Sequence, residues 1–527
     1  MPVPGDKVIQ QVATSEWKLK ATKQPLVRDI DANVDRFNRL LGYGVSYDII
    51  LRRFRVAGVD VATYVINGFF ETLPNMEILR QIATADAWVL PEDDRAKDPA
   101  AETEPGSRIR MLRALLADKL AYSQVVLVQD LDSALDQLIA GPMVILVDGE
   151  SSAIVVDTRY YPDRNPSQPN VEQLIRGPQD AFIENIIDNT ALIRRRLRDP
   201  ALRFEMVKGQ IGRRSKMDVA ITYIEGLTDP ELVGRVRRRL EAIDIDGLPM
   251  AEQPIAELVT GQRWNPFPTY RMTERPDVAS QALLDGHVVL VVDTTPVAII
   301  LPVSVFQLLQ HPEDYHVAPV FGTWLRLTEW VALALSTLMP PLWLLLATHP
   351  GMLARLPFLS WVGPQKPSPI ALPLQFLLAE FSIDILRRAV LNSAAALATS
   401  FGILGAVVIG QVSTKVNLFS PETLVYMVAA AISSFAISNL ELGMATRMVR
   451  VTLVVLEWVM SLPGLVLGLV FWLVMLARTD SLGRSYLWPL YPFNWPALRS
   501  VLIREPVTGR VRRPAMLEPQ NQWRSAH

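Results

Sequence analysis

Cysteine is absent from the 527 residues, which excludes a disulfide framework, a thiolate metal site and a thiol nucleophile. Histidine is scarce, and the five present (His287, His311, His316, His349 and His527) show no ligand spacing. The chain also lacks a GxxxxGK phosphate loop, a GxGxxG following a strand, a GxSxG elbow and an HExxH pair. Catalysis thus has no positive support. The expectation is a protein that is not an enzyme and holds no cofactor or metal.

Charge is unevenly shared. Residues 1–320 carry 36 Lys+Arg against 45 Asp+Glu, net −9, whereas residues 321–527 carry 16 against 9, net +7. Charged residues therefore fall from 81 in the first 320 positions to 25 in the last 207, placing a soluble-to-membrane boundary near Val320. An acidic soluble part argues against a nucleic-acid partner.

What the second part does have is apolar runs, at about 389–412, 423–439 and 451–477. About 20 apolar residues at 1.5 Å rise cross the hydrocarbon core of a bilayer. A fourth run, 327–347, is interrupted by Pro340-Pro341, which requires a kink or an early end. Residues 370–385 carry Glu380 and Asp384, which are costly in lipid, so an interfacial or re-entrant helix is expected there. Four spans result. The N-terminus lacks the apolar core of a secretory signal, and Arg499, Arg504, Arg510, Arg512, Arg513 and Arg524 follow the last span. Both termini are accordingly expected on the cytoplasmic side.

Comparison of the chain with itself shows an internal repeat. DQLIAGPMVILVDGESSAIVVDT (136–158) matches SQALLDGHVVLVVDTTPVAIILPV (280–303), and DVATYVINGFFE (60–71) matches DVAITYIEGLTD (218–229). The expected fold is an α/β soluble region of two related subdomains followed by an all-α multipass membrane domain. Its parts are a polar arm (1–33), subdomain one (34–160), a connector helix (161–202), subdomain two (203–320), the helical membrane domain (321–488) and a basic cytoplasmic tail (489–527). Within subdomain one, 47–56 and 59–66 read as a hairpin around Ala57-Gly58, 92–105 as a solvated acidic loop, and 109–116 and 131–139 as helices.

Three sets of residues are candidates for function. Glu441 and Glu457 are the carboxylates expected on a cation pathway, since acids within spans face a bundle interior or a water path. The structural alternative is an interfacial salt bridge for Glu441 and a pair with Arg450 for Glu457. Four-residue spacing sets Gly402, Ala406 and Gly410 on one helix face, and Gly464 and Gly468 on another, where small side chains let helices approach closely. The alternative is that such residues are merely common in membrane helices. Arg194, Arg195 and Arg196 end the connector helix, either as a solvated C-terminus or as a contact for a neighbouring subunit or anionic headgroups.

RGPQDAFIENIIDNTALIRRRL, KGQIGRRSKMDVAITYIEGL, TERPDVASQALLDGHVVLVVDTTPVAIILP and GAVVIGQ, with the block from Pro421 to Arg450, together resemble the A subunits of GerA-type spore germination receptors. Where the family reads RGPREGF this chain reads RGPQDAF, leaving the roles of Gln179 and Asp180 open. The resemblance implies a multipass protein of the spore inner membrane, its soluble region on the core side. It implies an oligomeric cation-channel-type subunit, a homo-oligomer with other germination proteins of that membrane as partners. Direct nutrient binding is not expected, because no part resembles the nutrient-binding B subunits.

Overall fold

The computed structural model describes residues 24–83, 124–161, 176–349, 368–392, 395–506 and 512–524, except positions 57, 71 and 210, together with 169, 172, 174, 363 and 364. Most of the expected arm, the acidic loop and the helix at 109–116 lie outside the described residues. The chain forms two compact units. Described residues up to 261, with 272–302 and 512–524, make one; residues 262–271 and 303–506 make the other.

The first unit opens with α1 (Ile30–Leu41), whose Asp29 cap accepts from the Asp31 N–H and whose end is set by left-handed Gly42. Ile30, Val34, Phe37 and Leu41 recur at helical spacing and are buried. Strands β1 (Ile49–Val56) and β2 (Val59–Ile66) form the expected hairpin, antiparallel from Ile49 opposite Ile66 to Val56 opposite Val59. There follow α2 (Thr72–Ala83), β3 (Val125–Val128), α3 (Leu131–Ile139), β4 (Met143–Val147) and β5 (Ala153–Val156). Side chains alternate across the sheet. Ala62, Tyr64, Ile66, Val144 and Leu146 pack on α1 and α3. Val61, Val65, Met143, Ile145 and Val147 pack on Ile78 and Ile82 of α2. Helices therefore cover both faces, which explains why β4 reads as an unbroken apolar run.

After the connector α4 (Ile186–Arg196) come β6 (Leu202–Met206), β7 (Val219–Ile224), α5 (Pro230–Glu241), α6 (Glu252–Thr260), β8 (Arg271–Thr273), α7 (Pro276–Asp285), β9 (Val288–Val292) and β10 (Ala298–Leu301). The first sheet has the order β1-β2-β4-β5-β3 and the second β6-β7-β9-β10-β8. The orders are the same, as the internal repeat predicts. Left-handed glycines recur at matching points, Gly68 and Gly226 after the second strand and Gly141 and Gly286 before the fourth.

Connector α4 ties the copies together rather than standing free. Tyr47 Oη lies 2.6 Å from Thr190 Oγ1 on the side of the first copy, and the Asp293 carboxylate of the second copy accepts from the Ile186 N–H at 3.1 Å.

The second unit contains α8 (Pro319–Thr348), α9 (Leu372–Leu391), α10 (Ala395–Ala406) continued by a π-helical turn (Val407–Val412), α11 (Pro421–Phe435), α12 (Leu440–Arg478) and α13 (Trp495–Leu502). Side-chain pairs give their directions. Glu329 meets Ser438, Ser336 meets Thr446 and Thr348 meets Glu457, so α8 and the first part of α12 run parallel. Glu380 meets Arg450 while Asp384 meets Arg447, so α9 runs against them.

Helix α12 is not one straight rod. Ser461 has φ 57° and ψ −138°, outside helical geometry, and Pro463 and Gly464 follow. A Cβ on Gly468 would lie 2.7 Å from Leu453 and 2.9 Å from Leu456, contacts that a straight helix cannot make across 15 residues. Residues 440–460 and 462–478 therefore form a helical hairpin. The expected single run at 451–477 is corrected to parts of two antiparallel helices.

Two expected boundaries also move. The α/β unit ends at Pro302 rather than near 320. The expected tail is divided: residues to 506 belong with the helices, whereas 512–524 return to the α/β unit, where Gln520 N–H donates to Leu227 O.

Candidate functional site

By length and composition the helix Pro319–Thr348 and the Leu440–Arg478 stretch, the latter broken at Ser461, are apolar enough to cross a membrane. Between the helices runs a seam of polar and ionisable groups. At its centre Arg450 is 1 % exposed. Its Nε donates to Glu380 Oε2 at 3.0 Å and its Nη2 to both Glu380 oxygens at 2.7 Å. Its Nη1 donates to Ser336 O at 2.6 Å and Ser336 Oγ at 3.1 Å. The whole guanidinium fork is thus engaged, the condition under which a buried charge is tolerated. One turn away, Arg447 pairs with Asp384 at 2.5 Å and lies over the Phe435 ring.

Ion pairing gives the acids of the expected interfacial or re-entrant segment 370–385 their partners. That segment belongs to the 20-residue α9, and its acids face cations from α12. The spacing was a usable signal: acids at 380 and 384 match cations at 450 and 447 when the helices are antiparallel. The alternative pair Glu457–Arg450 is replaced, because Arg450 goes to Glu380.

Above and below Arg450 lie two buried carboxylates with no ion-pair partner among the described residues. Glu329 accepts from Ser438 Oγ, and Glu457 Oε1 accepts from Thr348 Oγ1 at 3.2 Å. In each, Oε2 is buried without a hydrogen-bond partner. Sequence reasoning chose Glu457 and counted Glu329 only among the ionisable residues of the membrane part.

Glu441 sits elsewhere, in the first turn of α12 just after the Asn439 cap, where the helix dipole favours an anion. It accepts from Tyr270 Oη at 3.4 Å. The structure does not bring it together with Glu457.

The small residues divide in the same way. A Cβ on Gly464 would stand 1.9 Å from Leu456 O and one on Gly468 2.7 Å from Leu453, so both glycines serve the turn and packing of their own hairpin. Around Gly402 and Gly410 a Cβ would meet nothing within 4 Å, and Ala406 between them is exposed. Close helix approaches occur instead at Gly405, against Leu386, and at Gly443, against Ser434 O, neither of which spacing alone picked out.

The arginines of α4 are committed within the chain. Arg194, 1 % exposed, pairs with Asp48 at 2.8 Å and donates to the carbonyls of Asp199 and Leu202 at 3.1 Å each. Arg195 lies over the Tyr161 ring, and Arg196 pairs with Asp180. Arg194 therefore reaches neither a headgroup nor a neighbour. The departure at Asp180 acquires a role as the partner of Arg196.

At the foot of α8, Arg326 pairs with buried Asp314 at 3.0 Å and donates to Ser500 O at 2.8 Å, clasping α13 to α8. Burial pushes the Asp314 carboxyl above its ordinary range against the opposite pull of Arg326.

The family model for the Bacillus/Clostridium GerA spore germination protein matches residues 35–516. The chain belongs to the GerA family. It is 37% identical over 505 residues to stage V sporulation protein AF of Bacillus subtilis (strain 168), covering 96% of this chain and 98% of that one. It is 27% identical over 486 residues to spore germination protein KA of the same organism, covering 91% and 86%. Among solved structures it is similar to the N-terminal domain of the A subunit of the Bacillus megaterium spore germinant receptor GerK3, at 25% identity and a TM-score of 0.38, covering 53% of this chain and 96% of that one. The family membership agrees with the likeness seen in the motifs around the connector and the second copy.

Proposed function

We propose that this GerA-family chain is a multipass component of the spore inner membrane and acts as a subunit of an oligomeric, cation-conducting assembly during germination. The observation that carries the reading is the seam itself. Two buried carboxylates, Glu329 and Glu457, lie along one helix pair, each with an oxygen that has no hydrogen-bond partner and with no ion-pair contact among the described residues. Acids held at such depth mark ion paths more often than lipid contacts. Two hairpin halves, α8, α9, the α10 segment and α11 make six crossings, so both ends of the helical unit fall on one side. The α/β unit then faces the core, and the remaining partners are further copies and other germination proteins of that membrane. Neither catalysis nor nutrient binding is part of the reading.

The test is potassium and sodium release from liposomes holding the purified chain, alone and with its membrane partners. Flux that falls in Glu329→Gln and Glu457→Gln at normal stability supports the reading. A non-conducting scaffold is the second reading, favoured by the complete satisfaction of Arg450, which looks structural. Zero flux with germination still dependent on the chain selects it. Topology is tested separately by cysteines at Ser15 and Ser525 of this cysteine-free chain. Labelling of either by an impermeant thiol reagent from outside intact cells sinks the even-span arrangement.

A further inference from the structure

The two copies of the α/β fold part company after their fifth strands. In the first copy the chain runs on from β5 and turns back onto the loop after β2. There Tyr160 N–H donates to Phe69 O at 2.8 Å, and a Cβ on Gly141 would stand 2.9 Å from Arg159 Cγ. In the second copy the chain leaves after Pro302, and residues from 303 on belong to the helical unit.

The matching place is filled from the other end of the sequence. Leu227 and Gly286 are the counterparts of Phe69 and Gly141 in the internal repeat, and they receive residues 512–524. Gln520 N–H donates to Leu227 O at 2.9 Å, and a Cβ on Gly286 would stand 3.5 Å from Pro519 and 3.9 Å from Leu517. Pro519 and Gln520 thus stand to the second copy as Arg159 and Tyr160 stand to the first. Arg513 Nε donates to Leu284 O at 2.7 Å, Arg524 pairs with Asp285, and Met516 and Leu517 are buried.

The segment also closes on itself. Arg513 N–H donates to Gln522 O at 2.9 Å, Arg512 lies over the Trp523 ring, and a 3-10 turn over Ala515–Leu517 ends at left-handed Glu518. Leu517 is carried at the bend. A peptide that closes on itself gives up less conformational entropy on docking than an open one.

We propose that the Leu227–Gly286 face of the second copy is a peptide-binding site, and that its occupant is the chain's own segment 512–524, held as a separable ligand and not as fixed core. The first copy closes with a contiguous segment; the second closes with one delivered from beyond the helical unit. A docked tail ties the end of the helical unit back to the second copy, and this tie can be made and broken. The inference is independent of whether the helical unit conducts ions.

The experiment uses the full-length chain in detergent with a specific protease site inserted between Thr508 and Gly509. After cleavage the tail should stay with the chain through size-exclusion chromatography, and an excess of fluorescent synthetic peptide 512–524 should replace it saturably. A Leu517→Asp peptide loses the buried anchor and should bind about tenfold more weakly or worse, and a Gln520→Pro peptide, without the N–H for Leu227, several-fold more weakly. A cleaved tail that excess peptide does not displace is fixed core and overturns the inference. So does a tail that is lost on cleavage from a chain that then fails to bind the peptide, and so does a Leu517→Asp peptide that competes as well as the native one. Uncut full-length Leu517→Asp covers the case in which cleavage unfolds the chain. It should take up the native peptide, whereas the uncut natural chain should not, because its tethered tail competes at roughly millimolar effective concentration. Equal uptake by the two uncut chains, or none by the variant, overturns the site.

Discussion

Arg194 in the α/β unit and Arg450 in the helical unit are each 1 % exposed, and the two are housed alike. Each sets its fork on one carboxylate and fills the remaining donors with chain oxygens, Asp48 with the Asp199 and Leu202 carbonyls in one case, Glu380 with Ser336 in the other. The surroundings differ. Arg194 ends a connector between two sheets and also lies over the Phe204 ring, whereas Arg450 sits mid-helix among apolar segments. An identical local solution is thus used once as a joint between copies and once to admit an acid into a helical bundle. The chemistry of a buried arginine is set by its donors; its role is set by what the partner carboxylate would otherwise cost.

The largest expected effect tests that second half. Arg450→Met leaves Glu380 buried and unpaired, a loss of about 3–5 kcal/mol, read as a collapse of Tm or of folded yield. Adding Glu380→Leu should recover most of it, because a matched apolar pair removes the stranded charge. Arg194→Met strands Asp48, for which Ser46 Oγ at 2.6 Å remains a donor, and about 2–3 kcal/mol is expected. A larger loss at Arg194 than at Arg450 would break the comparison.

Next in size is a contrast within the small residues. Gly464→Ala places a methyl against the Leu456 carbonyl and should cost about 1–3 kcal/mol of stability without changing the mode of assembly. Gly410→Leu meets open space in the chain, so Tm should hold. If the Gly402, Ala406 and Gly410 face is a contact between copies, light scattering should show smaller assemblies for Gly410→Leu. Unchanged size with unchanged Tm would give that face to lipid.

How far each unit was legible follows from the range of its interactions. The α/β unit was readable because its determinants are local and written twice: alternating strands, left-handed glycines and capped helices, all within two matched copies. The apolar runs likewise located most helices. What escaped were features whose partners lie far away in sequence. Glu380 looked unaffordable because its cation stands 70 residues later, and Arg194 looked solvated because Asp48 stands 146 residues earlier. The hairpin break was a local signal that a pure hydropathy reading passes over. Ser461-Leu462-Pro463-Gly464 sits inside a run of 27 apolar-rich residues, which is also longer than one bilayer crossing needs.

The smallest effect sharpens the comparison through pH, using one pair from each unit that lies outside the spans. Asp157, partly exposed, receives Arg159 Nε at 2.6 Å, and that hydrogen bond holds its carboxyl below the ordinary range. A depressed folded pKa contributes stability that is present above the unfolded value near 3.9 and is lost as pH falls through the folded value. Solvent reaches both partners, so the contribution is about 0.2–1 kcal/mol. Asp314 is the opposite case: burial raises its pKa despite Arg326, so the folded state binds this proton more tightly and stability falls as pH rises through the window above 3.9. The two carboxylates therefore give slopes of opposite sign on the acid limb. Asp157→Asn should remove a loss on acidification, whereas Asp314→Asn should remove a gain, both read as changes in the pH dependence of Tm. Equal slopes in the two variants would mean that burial at Asp314 is outweighed by its arginine, and the distinction between exposed and buried pairs would fail at that position.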